Sequence, residues 1–215
     1  MEQDFSDYRK TYEKKKLLIA DVPNNPRDLF NEWFREADQD KQIKEANAMN
    51  LSTVGLDGFP KSRIVLLKKI INDGFVFFTN YESEKGKAIA ENNKVCISFF
   101  WESLERQVII KGSVEKISDT ESERYFQSRP KGSQLGALVS KQSAVIASRA
   151  ILSERLEELE LKYKDQKIER PNFWGGYVIK PLQYEFWQGR PNRLHDRILY
   201  VPETNGEWQI NRLSP

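Results

Sequence analysis

The sequence of 215 residues contains one histidine, His195, and it stands in the run EFWQGRPNRLHDR at residues 185 to 197. Arg193 and Arg197 flank it at spacings of two, and residues two apart in an extended strand point to the same face. On that reading Arg193, His195 and Arg197 share one face, with Leu194 and Asp196 on the other. Like charges held so close repel unless an anion lies among them. The chemistry on offer is the binding of an anionic ligand beside a titratable imidazole.

Other segments carry groups of the same kind. Arg63 and Lys68 bracket the apolar IVLL in one β-type run, and their odd spacing of five sends them to opposite sides of a regular strand. In YFQSRPKGS, Tyr125, Arg129 and Ser133 recur every four residues. Across a helix end these converge and offer a phosphate a charge-assisted fork with two hydroxyls. In SKQS, Gln142 and Ser143 are neutral hydrogen-bonding groups suited to an amide-rich ring. Together with the 185 to 197 run, these groups exceed what one phosphate needs.

Several chemistries are excluded. One histidine and one cysteine cannot build a zinc site from those ligands. Neither common glycine-rich phosphate loop occurs, and no G-x-S-x-G elbow accompanies His195. The single Cys96 lies in the apolar VCISFFW and forms no internal disulfide, which suits a reducing cytosol. With 34 Lys and Arg against 32 Asp and Glu, the net charge of +2 argues against a dedicated nucleic-acid binder. No apolar run approaches the ~20 residues that cross a bilayer, and the charged start has no hydrophobic signal core. The expectation is a soluble, cytoplasmic protein without membrane or nucleic-acid partners.

The elements that position these groups are legible in outline. Residues 1 to 20 read as a polar, flexible, basic arm, followed by one domain over 21 to 215. Asn25-Pro26 is an N-cap and first-turn proline, and Leu29, Phe30, Trp33, Phe34 and Ala37 follow at helical spacing. From residue 49 come the β-rich runs MNLSTVG, SRIVLLKKI, GFVFFTN, VCISFFW and RQVIIKGSVEKI. Asp57-Gly58, Asn72-Asp73-Gly74 and Asn205-Gly206 mark turns. SEKGKAIAENN, SDTESERYFQSRP and roughly 149 to 167 read as helices. GGYVIKP, LQYEFWQ, RILYVP and EWQINRL read as further strands. The pattern is α+β, mainly β, a barrel with peripheral helices.

Taken in order, RIVLLK, FFTN, LERQV, YFQSRPKGSQLGALVSKQS, FWGG and EFWQGRPNRLHDR, with a final NRLSP, strongly resemble the pyridoxine (pyridoxamine) 5′-phosphate oxidase family. The resemblance runs from the arm to the C-terminus, and W-Q-x-x-x-x-R-L-H-D-R is its most specific part. It implies an FMN-binding split barrel and a homodimer with FMN at each subunit interface. The implied reaction oxidises pyridoxine or pyridoxamine 5′-phosphate to pyridoxal 5′-phosphate, with dioxygen reoxidising the flavin and giving hydrogen peroxide. By position, Arg63, Ile64, Val65, Leu66, Leu67 and Lys68 match the segment along the flavin, with Arg63 toward its phosphate and Lys68 reaching the substrate phosphate. Phe78, Thr79, Lys85, Gln107, Gln142, Ser143, Trp187 and Arg197 match further FMN contacts. Tyr125, Arg129 and Ser133 match the clamp on the substrate phosphate. Arg193, Leu194 and His195 match the segment holding substrate against the flavin, with Arg193 and His195 as the catalytic pair. Arg9, Lys10, Thr11 and Tyr12 match an arm segment that covers the site. No metal is implied. Burial beside two arginines is expected to lower the pKa of His195 and keep it neutral.

One departure stands out. The family reads S-R-K where this chain has Ser83-Glu84-Lys85, so a carboxylate replaces an arginine expected at the FMN phosphate. Pointing inward, Glu84 repels a dianion, with Lys85 and Lys87 to compensate; the alternative is that it turns to solvent. Glu84→Arg is expected to tighten FMN binding. The rival readings are a flavoprotein of the same fold with another substrate, a barrel binding single-stranded nucleic acid, and a pyridoxal phosphate carrier without turnover.

Overall fold

A computed structural model of the protein describes residues 3–215. Met1 and Glu2, the first two residues of the expected arm, lie outside the described residues. The strands are β1 (Ala48–Val54), β2 (Pro60–Leu66), β3 (Lys69–Ile71), β4 (Gly74–Asn80), β5 (Lys94–Trp101), β6 (Arg106–Lys116), β7 (Trp174–Gln188), β8 (Asp196–Pro202) and β9 (Trp208–Leu213). The helices are α1 (Pro26–Gln39), α2 (Glu84–Glu91), α3 (Asp119–Ser128), α4 (Lys131–Val139) and α5 (Ala150–Lys162). The strands form one sheet in the order β2-β1-β5-β6-β7-β4-β3, with β8 between β7 and β9.

The chain divides into two compact units, Met1–Asn50 with Ile97–Lys111 and Leu182–Pro215, and Leu51–Cys96 with Gly112–Pro181. In the first, Asn25 caps α1 by accepting from the Arg27 N–H at 2.9 Å, with Pro26 in the first turn. The helix buries Leu29, Phe30, Trp33 and Ala37, as its spacing requires. Phe30 meets Phe99 edge-on at 5.2 Å and Trp33 meets Phe186 at 5.3 Å. Each such buried aromatic contributes ~2–3 kcal/mol from area alone. In the second unit, Phe126, Leu135, Leu159, Ile168 and Trp174 form a cluster under α3, α4 and α5.

The turns behave as their chemistry demands. Asn72 and Asp73 adopt φ of 45° and 62° and link β3 to β4 in two residues. Gly58 and Gly206 also take positive φ.

Four expectations are corrected. SRIVLLKKI is two strands, because the chain changes partner at Leu67-Lys68, from the β1 side to a hairpin with β4. GGYVIKP and LQYEFWQ are one strand, β7; Pro181 falls after the ladder to β4, which ends at Ile179, and before the ladder to β8, which begins at Tyr184. Its missing N–H therefore costs neither ladder a bond. The helix expected over 149 to 167 stops at Lys162, and α4, which the sequence reading left between motifs, follows Pro130 directly. Arg193, His195 and Arg197 do not share a strand face. Pro191–Arg193 is a single helical turn with Asn192 and Arg193 at φ of 57° and 62°, and β8 starts only at Asp196. The proline and two left-handed residues cannot continue a ladder.

Candidate functional site

In the second unit, the groove residues are placed by the pairing of β4 with β7. Phe78, Thr79 and Asn80 lie opposite Gly176, Gly175 and Trp174. A Cβ on Gly176 would come within 2.8 Å of the Phe78 ring, and one on Gly175 within 2.2 Å of the Tyr81 hydroxyl. Gly175 thus leaves room for Tyr81, and Gly176 for Phe78, which stacks on Tyr125 at 3.7 Å and lies nearly parallel beside Trp174 at 5.6 Å.

Around this stack is a cavity of about 310 Å³. It brings together Ile64, Val65, Leu66 and Lys68 from the β2 end, and Phe78, Thr79, Lys85 and Gln142. Tyr125, Arg129, Asn80 and Trp174 complete its lining. A neighbouring cavity of about 300 Å³ brings Arg129 to Ser133. The expected clamp thus meets across the end of α3 and the start of α4, with Arg129 common to both cavities.

Two cations here, the half-buried Arg129 and the buried Lys85, form no ion pair with an acid among the described residues. The Arg129 guanidinium lies 4.5 Å over the Trp174 ring, and its Nη1 is buried with no hydrogen-bond partner among the described residues. Burial lowers its pKa, with the Tyr125 hydroxyl opposing. An arginine stays protonated through such shifts, so this is a retained, uncompensated positive charge. Lys85, 8% exposed, has the hydroxyls of Thr79 and Ser83 at 3.4 and 3.3 Å. Burial, then the nearby Arg63, lowers its pKa; Glu84 opposes. A buried charge without a paired acid is costly unless a ligand supplies one. These groups fit a phosphorylated ligand such as FMN.

Glu84 is turned outward. Its carboxylate forms an exposed ion pair with Lys61 at 2.6 Å, while its backbone N–H donates to the Ser143 hydroxyl at 3.2 Å. Glu84, Ser143, Gln142 and Lys87 line a further cavity of about 470 Å³ with Lys141. Arg63 does not line these cavities; its Nη1 donates to Thr53 Oγ1 at 2.8 Å and to the Leu51 carbonyl. Leu67 is buried.

The first unit holds a separate set. A cavity of about 900 Å³ is lined by Arg9, Lys10, Thr11 and Tyr12 of the arm with Trp187, Arg193 and His195. The Trp187 and His195 rings lie 4.7 Å apart, and Tyr12 meets both edge-on at 5.6 and 5.7 Å. The arm is held by bonds from the Glu13 and Lys14 N–H groups to Glu105 at 2.9 and 3.0 Å, and from Leu17 N–H to Asp196. Gly189 makes its approach feasible, since a Cβ there would sit 2.8 Å from Tyr12.

His195 Nδ1 accepts the Arg190 N–H at 3.1 Å, which leaves the ring proton on Nε2 in the neutral form. Burial, then Arg193, lowers its pKa, in the direction expected. Arg193 is exposed on its left-handed backbone. Leu194 is 68% exposed and does not line the cavity. Arg197 is engaged by Glu185 at 2.8 Å and by the Ser214 carbonyl, and Gln107, half-buried in β6, lines none of these cavities. Arg190, Asn192 and Tyr8 were missed among the lining residues, as were Asn80 and Trp174. Arg190, Asn192, Trp174 and Asn80 sit inside the quoted motifs; nothing local marks Tyr8.

Comparison with known proteins agrees with this geometry. A family model described as pyridoxamine 5′-phosphate oxidase matches residues 36–163. A second, the pyridoxine 5′-phosphate oxidase C-terminal dimerisation region, matches residues 174–215. A pyridoxine/pyridoxamine 5′-phosphate oxidase of Flavobacterium johnsoniae is 58% identical over 211 residues, 98% of this chain and 99% of that one. That of Flavobacterium psychrophilum is 56% identical over 213 residues, 99% and 100% of the two chains. Among solved structures, PhzG from Burkholderia lata, in complex with tetrahydrophenazine-1-carboxylic acid, superposes with a TM-score of 0.85 at 26% identity, covering 94% of this chain and 100% of that one. A pyridoxamine 5′-phosphate oxidase-related, FMN binding protein from Nostoc punctiforme, 16% identical with a TM-score of 0.69 over 88% and 96% of the chains, shares the fold. The architecture is the α+β, mainly β, split barrel expected. With both parts matched and identity above one half along nearly its whole length, the chain belongs to the pyridoxine/pyridoxamine 5′-phosphate oxidase family.

Proposed function

We propose that the chain is a cytoplasmic, FMN-dependent oxidase converting pyridoxine 5′-phosphate and pyridoxamine 5′-phosphate to pyridoxal 5′-phosphate, with dioxygen as electron acceptor and hydrogen peroxide as by-product. It acts as a homodimer with FMN at the subunit interface, in keeping with the match to a dimerisation region. The observation that carries the reading is Arg129, a half-buried guanidinium whose buried Nη1 is unpartnered among the described residues, between Tyr125 and Ser133. A ligand without an anionic group has no use for it, which disfavours an uncharged substrate on the same fold.

FMN, when bound, supplies the acceptor for hydride from the substrate's C4′ and returns the electrons to dioxygen. Ile64 to Leu66 line the ring's place, while Lys85, Thr79, Gln142 and Ser143, with Arg63 nearby, attract its polar and phosphate groups. By resemblance to the family, Gln107, Trp187 and Arg197 would add cofactor contacts. Tyr125, Arg129, Ser133 and Lys68 hold the substrate phosphate by charge-assisted bonds. Arg193 pins the pyridine ring, with Leu194 beside it, and neutral His195 orients it through its Nε2 proton; holding a near-attack geometry is where such residues contribute most. Arg9 to Tyr12 cover the bound substrate and exclude water.

The test is a visible spectrum of the purified protein, taken before and after anaerobic addition of pyridoxine 5′-phosphate and again after admitting air. A flavin spectrum that bleaches and returns is the expected result. A flavin band that never bleaches would remove the substrate assignment, and a colourless protein unable to take up FMN would remove the flavin.

A further inference from the structure

The joint between α3 and α4 carries Arg129 at one side and Ser133 at the other, and one buried side chain with no ligand role closes it. Gln134 is 8% exposed. Its Nε2 is within reach of three carbonyls, those of Phe126 at 3.1 Å, Gln127 at 3.4 Å and Arg129 at 3.0 Å. These belong to the last turn of α3, where a helix leaves carbonyls without intrahelical donors. Many helices satisfy them through a left-handed residue whose following N–H groups turn back. Here Arg129 is extended instead, at φ −77° and ψ 147°, so the backbone leads away and an amide from the next helix takes that place.

The rest of the joint is short and stiff. The Arg129 N–H donates to the Phe126 carbonyl at 3.2 Å, and the N–H groups of Ser133 and Gln134 donate to the Pro130 carbonyl at 2.8 and 3.1 Å. By contrast, the Arg129 side chain rests on the Trp174 face with Nη1 unpartnered, so no acid fixes its direction. Its placement therefore depends on where its backbone is held.

We propose that Gln134 is a positioning residue for the anion clamp. By tying the end of α3 to the first turns of α4 it sets the span between the Arg129 guanidinium and the Ser133 hydroxyl, and so the preference for a phosphorylated substrate. The proposal rests on Tyr125, Arg129 and Ser133 holding that phosphate.

The test compares Gln134→Met, which keeps the volume and removes the donors, with Gln134→Glu, which sets a carboxylate against three carbonyls, and Gln134→Lys, which keeps donors there. Arg129→Ala is measured alongside. Steady-state kinetics with pyridoxine 5′-phosphate, inhibition by inorganic phosphate and FMN binding by fluorescence are read for each. Gln134→Met should raise KM and the phosphate inhibition constant about tenfold, with kcat and FMN affinity within about twofold of the parent. Gln134→Glu should raise KM further, and Gln134→Lys should keep it near the parental value. An unchanged KM in Gln134→Met, with a raised KM in Arg129→Ala, overturns the role of Gln134 alone. So does a parallel loss of kcat, KM and FMN affinity, which is what mere loosening of the unit produces. If Arg129→Ala also leaves KM unchanged, the clamp reading itself fails and takes the proposal with it.

Discussion

Two of the molecule's cavities, the one at the α3 end and the one at the arm, are built on different terms. The cavity at the α3 end is made of regular elements, strand β4 against β7 and the α3–α4 joint, and besides the exposed Lys68 its charge comes from the buried Lys85 beside hydroxyls and the half-buried Arg129 on an aromatic face. The arm cavity is walled by Tyr12 and His195 on irregular backbone and by Trp187 near the end of β7, and its Arg193 is exposed on a left-handed residue. Burying an unpaired cation is an investment in binding an anion, since the ligand relieves the desolvation the fold has already incurred. Holding Asn192 and Arg193 at positive φ stores ~1–3 kcal/mol per residue, a cost that persists where geometry matters more than stability. One region is preorganised for charge, the other for orientation.

The comparison predicts opposite kinetic signatures. The largest effect is expected from Arg129→Ala: KM for pyridoxine 5′-phosphate should rise ~10–100-fold with kcat little changed, because hydrogen bonds to a charged group contribute ~1.5–3 kcal/mol. A fall in kcat at constant KM would place Arg129 in the orienting set instead. Arg193→Gly should do the reverse, lowering kcat ~10-fold or more. It should also stabilise the fold by ~1 kcal/mol through relief of the left-handed backbone, visible as a higher Tm. An Arg193→Gly protein that melts lower would show that the arginine side chain holds the turn and would break the comparison.

Glu84→Arg should tighten FMN several-fold in a fluorescence titration while leaving riboflavin, which lacks the phosphate, unaffected. The outward ion pair with Lys61 keeps this effect modest, since exposed pairs contribute ~0–1 kcal/mol. Equal changes for both flavins would locate the effect away from the phosphate. The smallest effect concerns pH. The pKa of His195 lies below its ordinary 6.5, so the ring is neutral above that value in both folded and unfolded chains. Any contribution it makes is therefore complete above pH 6.5 and is lost as pH falls through the lower folded value. Affinity for substrate should accordingly be flat toward alkaline pH and decline only on the acid side. His195→Asn should lack that acid limb; an alkaline decline in the parent would assign the ring the wrong protonation state.

What was legible in the sequence follows physical locality. Asn25-Pro26, Asn72-Asp73-Gly74 and the apolar spacing of α1 specify their own conformations, and the structure reproduces them. The RLHDR run was read as a strand because spacing alone cannot register that Pro191 and the two residues after it turn the chain first. Likewise the sequence does not announce α4, because Lys131–Val139 opens without a side-chain cap of its own, nor the role of Gln134, whose partners are carbonyls at the end of another helix.

By itself the sequence determined which chemical groups the protein owns, where its turns and caps fall, and, through the spacing of its motifs, the family to which it belongs. Those depend on neighbours within a few residues. Only the tertiary structure decided that the Nη1 of Arg129 is buried without a partner among the described residues, that the Glu84 carboxylate pairs with Lys61, and that His195 Nδ1 accepts the Arg190 N–H. Desolvation, the choice of ion-pair partner and the tautomer of a ring are set by groups brought close in space, and spacing along the chain does not encode them.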